Sequence, residues 1–462
     1  MSMMATWGRS ILPGGGTRKL VLATIGLVVV AGAVDCASAG DQAQAATVTY
    51  AQSAVDTGDT GWVLVSAALV MLMTPGLAFF YGGLVRRKNM LSVLMQCLMI
   101  LCLISLQWVV FGYSLSFSPG NRFIGGLNWL FLNGVGLTPN ADYAGTIPHE
   151  LFMMFQMMFA VITPALIIGA FAERMKFSAL CVFMLLWTTV VYDPVAHWVW
   201  GVGGFMRQWG ALDFAGGTVV HINAGMTALA AALVLGRRQG YPDGMSPPHN
   251  LPFAVLGAAL LWFGWFGFNA GSALGANGLA GNAFTVTHIA AAAAGVTWAL
   301  LDWVKHKRPT TLGMITGMVA GLVSITPASG YVTPMGAIWI GLGAGSIPWL
   351  AVTYVKGALG YDDTLDAFGV HGIGGIWGAI ATGLFATRSV NPAGADGLFY
   401  GNPLLFWIQI KVTFITIVYS LVLGFALLKV VDVLTGLRVS EHEERVGLDL
   451  TLHREAAYTV ID

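Results

Sequence analysis

Charge is what this chain has least of. Only 10% of its 462 residues are Asp, Glu, Lys or Arg, while 56% are hydrophobic and the mean hydropathy is +0.74. Soluble domains carry about 25% charged residues, so a water-facing surface of ordinary extent is excluded. Acidic and basic residues balance at 22 each, which removes the electrostatic basis for nucleic-acid binding. Cysteine is scarce as well: Cys36, Cys97, Cys102 and Cys181. The last three lie in apolar runs and no pair has metal-ligand spacing, so they read as small apolar residues of helices. The chain also lacks a nucleophile–base pair, a phosphate loop and a metal cluster. It is therefore expected not to be an enzyme and to hold no metal or cofactor.

What is abundant is glycine, 60 residues without collagen period, and long apolar runs. Small residues let transmembrane helices touch through their backbones. The fold class is an all-α polytopic membrane protein.

Residues 1–46 resemble a cleaved signal peptide, with Arg9, Arg18 and Lys19 before the apolar run Leu20 to Val34. That run is shorter than the roughly 20 residues a span needs, and small-residue cleavage options follow at Ala37-Ser38-Ala39 and Ala43-Gln44-Ala45. From Gly61 the apolar runs predict spans at 61–83, 90–117, 149–171, 177–199, 216–236, 251–275, 281–303, 311–328, 334–356, 367–387 and 403–433. Each is expected to reach crossing length. With the N-terminus outside, Arg86, Arg87, Lys88, Arg174, Lys176, Arg237, Arg238, Lys305, Lys307 and Arg308 fall on inner connections. Arg122, Arg207 and Arg388 fall on outer ones. This positive-inside bias fits eleven helices, N-out and C-in, over a transmembrane domain at 47–436. Residues 437–462 form a cytoplasmic tail. Its Ser440-Glu441-His442-Glu443-Glu444-Arg445 reads either as a solvated helix or as a regulatory dock.

Within these runs two histidines stand out. His221 follows Asp213, a candidate N-cap, and Gly216-Gly217, which permit close backbone approach. His371 has a similar setting behind Asp366. His221 is followed by Gly225, Ala228 and Ala232, and His371 by Gly375, Gly378 and Thr382. These offsets share one helical face. The two helices enter from opposite sides, which suggests two inverted five-helix repeats plus a final helix, with a site between the halves. Taken alone, such histidines have three readings: satisfied core groups, metal or haem ligands, or members of a conduction path. Their matched placement favours the path, and metal binding would need further ligands. Aromatic residues form a second group: Phe152, Phe155 and Phe159 around Gln156, Trp262, Trp265, Phe266 and Phe268 with Asn269 and Ser272, and Trp200. They are either packing residues or a cage whose ring faces attract a small cation. Lys411 is unusual inside a span and either snorkels outward or pairs between subunits.

The blocks Thr74–Arg86, Asp213–Asn223, Trp265–Ser272 and Phe368–Gly372, in that order, resemble the ammonium transporter family, which includes methylammonium permeases and Rhesus proteins. The resemblance runs through nearly all of residues 57–460. It implies a homotrimer in the bacterial inner membrane, each subunit with its own narrow pore for ammonium or methylammonium. It further implies recruitment at Phe159, Trp200 and Ser272, a gate of Phe159 and Phe268, a pore lined by His221 and His371, and Asp213 as structural support. Gly447-Leu448-Asp449 is similar to a tail motif of the family and implies a PII-class nitrogen-signalling partner. An ammonium sensor of the same fold is the alternative, although residues 437–462 are too short for a fused signalling domain. A redox enzyme with His221 and His371 on haem is the third reading.

Overall fold

The computed structural model describes residues 55–244 and 246–458. The proposed signal peptide at 1–46 lies outside them. Eleven apolar helices follow one another: α1 Thr57–Leu84, α2 Arg87–Phe117, α3 His149–Phe171, α4 Phe177–Gln208, α5 Gly217–Leu235, α6 Leu251–Ala273, α7 Gly278–His306, α8 Thr311–Ile325, α9 Pro334–Leu359, α10 Phe368–Phe385 and α11 Pro403–Thr435. Side-chain oxygens start several of them. Asp56 accepts from Asp59 N, Asn250 from Phe253 N, Thr310 from Gly313 N and Asn402 from Leu404 N. Each supplies an acceptor to an amide that has none inside the helix.

Ten of these helices are long and apolar enough to cross a membrane. The expectation that every span reaches that length is corrected at α8, whose 15 residues rise about 22 Å against a hydrocarbon core of about 30 Å. Pro327 stops it, since the ring has no N–H to continue the hydrogen-bond ladder, although Thr326 before it is still helical. The chain then turns, and the Pro327 carbonyl accepts from Phe214 N at 3.1 Å. The missing turns of α8 are replaced by a loop that packs on the entrance to α5.

The packing repeats itself. In the first half α1 meets α2 and α3, α2 meets α4, and α3 meets α5. In the second, α6 meets α7 and α8, α7 meets α9, and α8 meets α10. The halves join where α1 runs antiparallel to α6, with Gly83 beside Asn250 and Ala254, Gly76 beside Leu260, and Ser66 beside Gly271. A Cβ on Gly257 would lie 2.1 Å from Phe80 N, so the two backbones touch directly. α3 and α5 are the most enclosed spans, 89% and 83% buried in their apolar windows, and α11 is the least, at 28%. The core therefore sits around α3 and α5, and α11 turns most of its surface outward. Lys411 on α11 lies 3.3 Å from the centroid of the Trp209 ring. The cation finds its partner within its own chain.

Ionic residues tie the opposite end together. Glu173 accepts from Arg86 N, Arg86 Nε, Asn89 Nδ2 and Arg238 Nη1. Asp362 accepts from Arg238 N, Nε and Nη2. Burial opposes ionisation of both carboxyls, but the surrounding arginines outweigh it and hold each below its ordinary range. The tail docks on this staple. α12 Glu441–Val446 begins in a Ser440/Glu443 capping box, and its buried Glu444 accepts from Gln239 N and Arg438 Nη2. Leu448 N donates to Asn89 Oδ1, and Asp449 accepts from Ser92 N at 2.8 Å at the start of α2. The helix exposes most of its charged residues, as a solvated helix does, and is held to the rest of the chain through Glu444.

Replacing Gly257 with Ala should cost about 3 kcal/mol, because neither backbone can yield. Gly281, with nothing within 4 Å, should accept Ala with little change. Melting of the detergent-solubilised protein checks both. Equal melting temperatures would mean that close contact of α1 and α6 does not stabilise the fold.

Candidate functional site

The site begins at the entrance to α5. Asp213 Oδ1 accepts from Gly216 N at 2.8 Å and Gly217 N at 2.6 Å, and Oδ2 accepts from Thr218 N at 2.8 Å and Val219 N at 3.1 Å. One carboxylate thus takes up the orphan amides of a helix start. Burial pushes this carboxyl up from its ordinary range while the four amides pull against it. The first turns are wound as a π-helix, Gly217–Ile222, and those of α10 likewise, Phe368–Ile373. Such wide turns are rare and recur at functional positions.

Each π stretch carries a histidine. The His221 and His371 rings stack with centroids 5.4 Å apart and planes 16° apart, and Trp265 also stacks with His221 at 5.4 Å. The spacing follows from the backbones: a Cβ on Gly225 would lie 2.1 Å from Gly372 N. Both ring nitrogens of His221 and Nδ1 of His371 are buried without a hydrogen-bond partner. Buried polar atoms are nearly always satisfied, so these point to a guest. The two histidines line a cavity of about 10 Å³ together with Leu77, Phe80, Ile162 and Phe268, room for about one water-sized molecule. A haem macrocycle does not fit there, which removes the redox reading. Among the described residues no group of three or more His, Cys, Asp or Glu is placed to hold a metal.

On the Trp200 side of the histidines a vestibule of about 550 Å³ is lined by Phe159, Trp200, Ser272, Asp213, Gln156 and Tyr331. Phe159 meets Trp200 edge-on at 5.8 Å and covers Phe268 at 4.3 Å. The latter two rings close the vestibule from the histidine cavity. Ser272 Oγ donates to Phe268 O at 2.8 Å, which leaves its lone pairs free to accept. Trp200 Nε1 donates to Asp213 O at 2.9 Å and so fixes the indole above the pair. On the tail side a second vestibule of about 390 Å³ is lined by His371, Phe80, Asp366 and Lys356. His371 and Phe80 are shared with the small cavity. The openings therefore follow one another from face to face: vestibule, phenylalanine pair, histidine pair, vestibule.

Phe159, Trp200, Ser272, Phe268, His221, His371 and Asp213 come together on this line, whereas Trp262 and Phe266 pack against His288 and Phe284 instead. One assignment is corrected. The counterpart of Asp213 is Asp363 rather than Asp366. It accepts from Ala367 N at 3.0 Å and Phe368 N at 2.8 Å, and it precedes His371 by the same number of residues as Asp213 precedes His221. That shared offset was the available signal. Burial first, then the neighbouring Asp366 charge, push the Asp363 carboxyl up to about 7 against Lys356 and the backbone amides.

The profile of the Ammonium Transporter Family matches residues 61–458. The chain is 56% identical over 402 residues to an ammonium transporter of Bacillus subtilis, covering 87% of this chain and 98% of that one. Its structure is similar to the crystal structure of Saccharomyces cerevisiae Mep2, with a TM-score of 0.78 and 36% identity over 84% of this chain and 88% of that one. It is also similar to a solved sensor Amt protein, with a TM-score of 0.79 and 32% identity over 86% and 98%.

Asp213→Ala would strand four buried amides and should cost about 2 kcal/mol or more, read as a fall in melting temperature. Asp213→Asn keeps one acceptor oxygen and should lose less. Identical losses would show that the carboxylate is not what holds the turn.

Proposed function

Because the chain belongs to the ammonium transporter family, we propose that it moves ammonium across the membrane by stripping it to ammonia at the phenylalanine gate and passing the neutral molecule between His221 and His371. The observation that carries this reading is the pair of buried, partnerless imidazoles between two vestibules. The protein is a multi-pass membrane transporter and not an enzyme. By the positive-inside rule the Trp200 face is outside and the tail face inside.

A cation at the bilayer centre costs several kcal/mol or more, whereas ammonia carries no charge to desolvate. Ammonium, or methylammonium, is attracted by the Trp200 and Phe159 ring faces and donates N–H to Ser272 Oγ. Asp213 holds the mouth in shape and adds negative potential without touching substrate. The Phe159–Phe268 pair admits a small neutral guest. A neutral imidazole both donates and accepts, so the two rings solvate ammonia or relay the released proton. Potassium has no proton to shed and no hydrogen to donate, and is rejected. The sensor reading finds less support, since identity to a transporter is 56% against 32% to the sensor.

The protein assembles as a homotrimer in the bacterial inner membrane, and its tail receives a PII-class nitrogen-signalling protein. What supports the regulatory role is the reach of the tail to α2 and to the residues after α3 and α5 through Asp449, Val439 and Glu444.

His221→Leu and His371→Leu should each lower ammonium-evoked current in proteoliposomes by about tenfold or more, a barrier increase of about 1.4 kcal/mol. Undiminished and still selective currents in both variants would sink the mechanism. For the tail, removal of residues 437–462 should abolish binding of the PII-class regulator and alter transport. A truncated protein that binds it and transports normally would contradict that assignment.

A further inference from the structure

The two vestibules are built on the same plan but carry different charge. In both halves the fourth helix contains a π turn, Thr188–Tyr192 in α4 and Ala351–Val355 in α9. The residue directly after it is Asp193 in the first half and Lys356 in the second. Asp193 is fully buried and accepts from Gln107 Nε2 at 2.7 Å. Lys356 opens on the tail-side vestibule, where its Nζ meets Asp366 Oδ1 at 2.7 Å, with side chains 17% and 27% exposed. Among the other charged groups there, Asp302 is occupied by Thr310 Oγ1 and Trp349 Nε1, and Arg238 by Glu173 and Asp362. Asp366 is thus the vestibule carboxylate whose only ionic partner is Lys356.

We propose that Lys356 makes ammonium recruitment one-sided: by neutralising Asp366 it keeps the inner vestibule from becoming a second cation-recruitment site. The inference rests on the reading that the outer vestibule recruits ammonium. A cleft with an excess of one sign concentrates counter-ions, and the outer cleft does so with Asp142, Asp213 and two aromatic faces against a single cation, Arg207, which donates to Trp200 O. The inner one holds His371, a half-exposed carboxylate and hydroxyls of Thr310 and Thr316, all fit to hold ammonium. An ammonium nitrogen and the Lys356 ammonium compete for the same Asp366 oxygen, and the tethered one wins. Ammonia that is reprotonated on leaving the histidine pair therefore meets a positive neighbour and no vacant anion. It departs into the cytoplasm.

The test compares right-side-out and inverted membrane vesicles holding the full chain, with the half-saturating ammonium concentration measured from each face. Lys356→Gln should lower the inner-face value by about fivefold and leave the outer-face value unchanged. Lys356→Arg should behave as the parent. Should the Gln variant fail to fold, Asp366→Asn provides the opposite arm, because it leaves Lys356 unpaired and should raise the inner-face value. A parent without ammonium flux from either face would overturn the transport reading itself. A transporting parent whose inner-face value is unmoved by these substitutions would overturn the role of Lys356 alone.

Discussion

The arrangement of this molecule depends on α5 and α10 meeting backbone to backbone at Gly225 and Gly372. With no side chain between them, the residue one turn before Gly225 and the residue next to Gly372 are brought to within ring-stacking distance. Those residues are His221 and His371. A larger residue at the crossing would separate the rings and enlarge the small cavity they line. Contact this close also makes the helices hard to satisfy at their ends, since a helix start buried in the middle of a protein exposes amides that water cannot reach. The carboxylates of Asp213 and Asp363 answer that requirement.

The same logic explains the polar residues of an otherwise apolar chain. Glu173, Arg174, Arg238 and Asp362 are buried, but each is paired, as charges removed from water must be. Trp265 Nε1 finds Thr326 Oγ1 at 2.8 Å, and Trp187 Nε1 finds Thr227 Oγ1 at 2.9 Å. His221 differs from most of these groups in that both of its ring nitrogens are buried without a partner, and with Nδ1 of His371 they lie on residues lining one small cavity. That placement supports a transported guest.

Repetition of a five-helix plan in opposite senses yields two entrances of one construction, and evolution of their side chains has made them unequal. Aromatic rings over a capped carboxylate line one, and an ion pair beside a capped carboxylate lines the other. The tail adds a further difference, because it packs only on the second face. Its Asp449 supplies an acceptor at the start of α2, so displacement of the tail would leave that helix end short of a partner.

Much of this was legible in one sequence. Hydropathy located the helices, since a bilayer admits little else, and the order of charged connections suggested their senses. Paired histidines among small residues and the aromatic cluster named the residues of the site. What sequence did not determine were features set by contact between distant segments. Pro327 announces a stop, but only packing shows that α8 ends short so that its loop can brace Asp213. The choice between Asp363 and Asp366 turned on which carboxylate reaches the amides of α10. The π turns have no local signature, because their extra residue is accommodated by neighbouring helices. Composition and periodicity thus determined a membrane bundle with two buried histidines. Only the tertiary structure decided that the two rings stack beside a space for one small molecule, because their distance is fixed by two backbones 147 positions apart, Gly225 and Gly372.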